Sequence, residues 1–136
     1  MEHRVLPNEI LLEEVGALLG EGREVAFTPK GTSMLPFIRG GKDTVTLKKL
    51  DSVEVGDIVL VKLSDGRYVL HRVIQTRGDA VLLMGDGNLA GTESCTIADV
   101  MGTVVLINKH KPSSGRLWRW LKPVRRYLLG IYRRLI

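Results

Sequence analysis

The sequence predicts a mainly β (α+β) protein: a coiled, partly closed β-body with a short N-terminal helix and a basic amphipathic C-terminal helix. Three observations carry this. Short runs rich in Val, Ile, Leu and Thr recur at intervals of about 8–12 residues, separated by glycine-bearing turns. Helical spacing of apolar residues occurs only near the two ends. The chain of 136 residues fits one domain with a real core and has no room for a second independent fold.

Asn8 is placed to cap a helix with apolar positions Leu11, Val15, Leu18 and Leu19, spaced for one face; Gly20 and Gly22 end it. The period then changes. Glu24–Thr28, Thr44–Lys48, Asp57–Lys62, Arg67–Gln75, Ala80–Met84 and Val100–Ile107 read as strands. Between them stand Arg39-Gly40-Gly41, Ser64-Asp65-Gly66, Arg77-Gly78-Asp79 and Gly85-Asp86-Gly87-Asn88, all rich in turn residues. Residues 1–108 thus form the body, and 109–136 a linker followed by the basic helix. In that helix Leu117, Leu121, Val124, Leu128, Ile131 and Leu135 form an apolar stripe. Pro123 kinks the helix or sets its start.

Charge divides the chain in the same way. Residues 1–108 hold 11 Lys and Arg against 15 Asp and Glu, whereas residues 109–136 hold 9 Lys and Arg and no acid. An acidic body with a basic tail implies an anionic partner for the tail. With Trp118, Trp120, Arg125 and Arg126 among its residues, segment 114–136 reads first as a helix lying on an anionic membrane surface. A helix packed on the body is the second reading. Nucleic acid is disfavoured, since one helix carries no base-reading motif.

Composition excludes several classes. The single cysteine, Cys95, permits no internal disulfide and suits a reducing compartment. No secretory leader and no apolar run of the roughly 18–20 residues needed to span a bilayer is present, so a cytoplasmic protein, peripheral to the membrane, is expected. No Cys, His and Asp cluster has metal-ligand spacing, and no metal or other cofactor is expected.

Gly31-Thr32-Ser33-Met34-Leu35-Pro36 follows a strand, as a nucleophile turn would. A serine nucleophile needs a tight turn and unused backbone N–H groups nearby for an oxyanion. Gly31 allows close approach, and Pro36 keeps a helix from consuming the amides; an ordinary turn would look the same. His71, in Val69-Leu70-His71-Arg72-Val73, shares a strand face with Val69 and Val73. A core histidine is the plain reading; beside Ser33, imidazole becomes a candidate general base. Asp86, in the glycine-rich loop, and Glu93 are two candidates for the acid that orients His71.

These motifs, with Gly56-Asp57-Ile58-Val59 between them, resemble in order the boxes of the signal peptidase I and LexA-like serine peptidases over about residues 25–107. The resemblance implies Ser33 as nucleophile and a base on the strand of His71. A histidine at that place is similar to the endoplasmic-reticulum and archaeal signal peptidases, whereas the bacterial and LexA-like members have lysine. The turn Gly31, Thr32 and Met34 would then frame the nucleophile and its oxyanion site. The implied activity is a serine endopeptidase cleaving a leader or precursor peptide near a membrane surface. A peptide-binding or membrane-surface adaptor on the same fold, without catalysis, is the alternative.

Overall fold

The computed structural model describes residues 2–5, 9–29, 34–87 and 91–112, with side chains from Leu12 onward. The expected nucleophile turn at Gly31, Thr32 and Ser33 and the expected tail helix with Trp118, Trp120, Arg125 and Arg126 lie outside the described residues.

Among the described residues the elements, in chain order, are β1 (Glu2–Val5), α1 (Glu9–Gly20), β2 (Val25–Thr28), β3 (Val45–Lys48), β4 (Ile58–Lys62), β5 (Tyr68–Arg77), β6 (Ala80–Met84), β7 (Glu93–Thr96) and β8 (Val100–Ile107), with a 3-10 turn, Ile97–Asp99, before β8. Among the described residues the strands form one sheet in the order β1-β2-β3-β8-β4-β5-β6-β7. Every pairing is antiparallel except β1 with β2. Irregularities at Thr46/Leu47, Leu60/Val61 and Val73/Gln75 interrupt the ladders. Such bulges sharpen local twist and let a long sheet curl on itself.

The chemistry of the turns sets the pairing. At the β5–β6 hairpin Arg77 faces Ala80, which leaves Gly78 and Asp79 as a two-residue loop. Gly78 has φ of 58°, the left-handed conformation a tight hairpin requires. Helix α1 ends in a Schellman arrangement: Arg23 N–H donates to Leu18 C=O at 3.1 Å, and Gly22 N–H to Leu19 C=O at 3.0 Å. Gly22 supplies the left-handed residue there, with φ of 84°.

Two apolar clusters fill opposite faces of the curled sheet. One gathers Val15 and Leu19 of α1 with β2, β3, Met34, Ile38, Ile58, Leu60 and Val104. The other holds Val59, Val61, Val73, Val81, Leu83 and Val100. The alternation of β4 explains the division: Ile58 and Leu60 go to the first cluster, Val59 and Val61 to the second. Burying Val15 and Leu19 contributes about 1.5–3 kcal/mol each. Leu19 seats directly over Gly102, where a Cβ would stand 2.8 Å from its Cδ1.

The end of the body beyond β8 is closed by polar contacts. Asp43, buried, accepts hydrogen bonds from the Arg39 backbone and guanidinium and from Asn108 Nδ2. Asn108 Oδ1 in turn accepts from Thr44 N–H at 2.9 Å. Burial pushes the Asp43 carboxyl up, but these hydrogen bonds outweigh it and hold the group below the usual carboxylate value.

Candidate active site

His71 lies near the middle of β5, opposite Val59 of β4. It faces the second apolar cluster, and its side chain is 7% exposed. Two strands away, the ladder sets Val73 against Leu83 and Leu83 against Glu93. That register brings the Glu93 carboxylate to the same face, with Oε2 3.3 Å from His71 Nδ1. The two atoms are buried and in ion-pair reach, but neither has an aligned hydrogen-bond partner among the described residues.

Burial pushes the His71 imidazolium toward deprotonation, and its pKa lies below the ordinary histidine value. The Glu93 carboxylate pulls the other way, as does the more distant Asp86, while Arg67 adds to the lowering. The ring therefore favours its neutral form, the form that accepts a proton.

Asp86 sits on a different arrangement. Arg72, one residue after His71, points to the opposite face of β5 and is fully buried. Its Nε donates to Asp86 Oδ1 at 3.0 Å and its Nη2 to Asp86 Oδ2 at 2.7 Å. Nη1 donates to the Gly56 carbonyl at 2.8 Å, and the guanidinium stands 5.0 Å from the centre of the Phe37 ring. Arg72 thus ties together the Gly56 turn, the glycine-rich loop and the 34–38 turn. Such bidentate pairing is directional as well as strong.

Met34, the residue after Ser33, is buried in the first cluster, and its sulfur accepts the Asp86 backbone N–H at 3.4 Å. The chain turns there: Phe37 N–H and Ile38 N–H both donate to the Met34 carbonyl. The Leu35–Pro36 peptide bond is cis. The described segment that begins at Met34 is therefore fixed to the loop that carries Asp86.

The remaining predicted features are simple to place. Cys95, on β7, is half-buried, and burial pushes its thiol up to about 11, away from reactivity. No group of His, Cys, Asp and Glu among the described residues is arranged to hold a metal ion. No described helix is long and apolar enough to cross a membrane. Arg72 was not among the residues singled out from sequence. A buried arginine leaves no mark in an alternating pattern, and its only signal is a charge between His71 and Val73, the other two buried residues of β5.

The chain matches the Peptidase S24-like family over residues 9–105. It belongs to that family. The matched span covers α1, β2 through β7 and most of β8, together with residues 31–36, His71, Arg72, Asp86 and Glu93. The mainly β body expected from the turn and strand pattern is the fold of this family member. None of the curated proteins compared is a detectable relative.

Proposed function

We propose that the protein is a serine endopeptidase in which Ser33 is the nucleophile, His71 the general base and Glu93 the acid that orients His71. The observation that carries this is the buried His71–Glu93 contact of 3.3 Å, held by three neighbouring strands. The His71 ring meets a buried carboxylate at its Nδ1, the side of the ring that an orienting acid would hold. The engagement of Asp86 with Arg72 favours Glu93 over Asp86 as the orienting acid.

In the proposed reaction, His71 takes the hydroxyl proton as Ser33 Oγ attacks a peptide carbonyl carbon. The tetrahedral oxyanion is held by backbone N–H groups of the Gly31–Met34 turn. His71 returns the proton to the leaving amine, the C–N bond breaks and an acyl-serine remains. Water, deprotonated by His71, hydrolyses that ester and regenerates the hydroxyl. The substrate is an extended peptide of the leader or precursor class. The basic, aromatic sequence 114–136 would bring the enzyme to an anionic membrane surface.

The test is labelling with a fluorophosphonate probe, followed by cleavage of a diverse peptide library with and without anionic vesicles. Labelling and new peptide termini are expected for the intact chain and absent in Ser33→Ala and His71→Ala. Absence of both in the folded intact chain would leave a non-catalytic, peptide-binding member of the family as the better reading.

A further inference from the structure

The strand that leads to Ser33 is already covered by the chain's own N-terminal segment. β2 ends at Thr28, five residues before Ser33. One edge of β2 is bonded to β3, with Val25 opposite Leu47 and Phe27 opposite Val45. The other edge carries β1, in parallel, with Glu2 opposite Val25 and Val5 opposite Thr28. A peptide that added itself to β2 as a further strand would have to take the edge that β1 holds.

Several features make β1 a weakly held occupant. It is four residues long and stands at the end of the sheet. Its pairing is the parallel one in an otherwise antiparallel set of ladders, and parallel pairing is slightly less stable per residue. Its sequence, Glu2-His3-Arg4-Val5, has one apolar residue in four, whereas β2 reads Val25-Ala26-Phe27-Thr28 and is buried throughout. Short edge strands rich in charge are also how proteins keep an edge from recruiting foreign strands.

We propose that β1 is a displaceable internal competitor for the peptide-binding edge of β2, so that its release regulates access of a substrate strand. This rests on the peptidase reading, because it takes the route to Ser33 as the route of the substrate. With β1 competing, the apparent affinity for a peptide is the intrinsic affinity multiplied by the fraction of molecules in which β1 is undocked. Main-chain hydrogen bonds to β2 would supply the affinity, as in other strand-addition complexes.

The experiment uses a fluorescein-labelled synthetic peptide with the sequence of residues 1–7, and Ser33→Ala protein so that nothing is cut. Its binding is read by anisotropy on the intact chain, on a variant lacking residues 2–5 and on the double variant His3→Pro/Arg4→Pro. Adjacent prolines remove a β2-facing donor whichever of the two residues points that way. Binding at least ten-fold tighter to both variants is expected, together with at least five-fold faster library cleavage when Ser33 is restored. Equal binding to all three proteins, or binding to none, overturns the proposal. If both variants lose the folded circular-dichroism signal it is overturned as well, since a strand the fold cannot lose cannot be displaced. Failure of fluorophosphonate to label any folded form would instead sink the peptidase reading, and the anisotropy result would still report on the edge.

Discussion

Replacing Asp86 with alanine removes the carboxylate that receives Arg72 Nε and Nη2 at 3.0 and 2.7 Å. Arg72 is fully buried, so its charge cannot turn out to water without opening the sheet. Removing one partner of a buried pair typically costs about 3–5 kcal/mol, because the other charge stays behind uncompensated. The Gly56 carbonyl and the Phe37 ring still hold part of the guanidinium, which puts the expectation near the lower end, about 3 kcal/mol. For a domain of this size that corresponds to a fall in Tm of roughly 10 °C. Urea unfolding followed by far-UV circular dichroism measures it, with the slope of the transition unchanged. Arg72→Met should cost a similar amount, and Arg72→Met/Asp86→Leu distinctly less than the sum of the single variants, since the pair leaves together. Single costs below about 1 kcal/mol, or a double variant as damaging as the sum, would refute the view of Arg72 as a buried hub.

Three further perturbations test the rest of the structure. Titrating His71 by NMR should give a midpoint below that of a free histidine peptide, and Glu93→Gln should lower it further by removing the carboxylate that opposes the shift. Because the unfolded chain binds the His71 proton more readily, this group's contribution to stability is full above about pH 6.5 and is lost as pH falls below it; stability flat across that range would count against burial of the ring. Gly102→Ala places a methyl group against Leu19 and should cost about 1–3 kcal/mol in the same urea assay, with a near-neutral result showing that α1 can lift from β8. Asp43→Ala, which leaves Asn108 and Arg39 without their shared acceptor, should cost about 1–3 kcal/mol at neutral pH. The difference should shrink as acid protonates Asp43, whose contribution is present above its ordinary value and fades below it.

Most of the body was legible because its strands are interior and β-branched. Ala80–Met84 and Val100–Ile107 have the bounds their composition implies, Glu24–Thr28, Thr44–Lys48 and Asp57–Lys62 each begin one residue later, and Arg67–Gln75 is displaced at both ends, to Tyr68–Arg77. The misses share a cause. β1 and β7, Glu2-His3-Arg4-Val5 and Glu93-Ser94-Cys95-Thr96, are sheet edges with little apolar content. Each becomes a strand because a neighbour has an open edge, which is a property of the assembled sheet. The polar extension of β5 through Thr76 and Arg77 exists for the same reason, paired to Val81 and Ala80. Because β7 is not among the predicted strands, the sequence does not place Glu93 beside His71. Its approach to His71 depends on a register two strands long, whereas Asp86 stands in a recognisable loop. The pull of Arg72 on Asp86 was equally hidden, because a pattern of apolar and polar residues does not say which charges are interior. Ser33 and its glycine turn were singled out by composition and motif order alone.

Adjacent residues of β5 bear two incompatible interior groups on opposite faces, His71 toward one apolar cluster and Arg72 toward the other. A slip of one residue in the β4–β5 pairing would exchange them. Arginine would then meet the valines of the second cluster and the imidazole would lie by Phe37, with Asp86 deprived of its guanidinium. The Arg72–Asp86 pair therefore acts as a key that fits in one position only, and it fixes the height of the histidine along the strand without ever touching it.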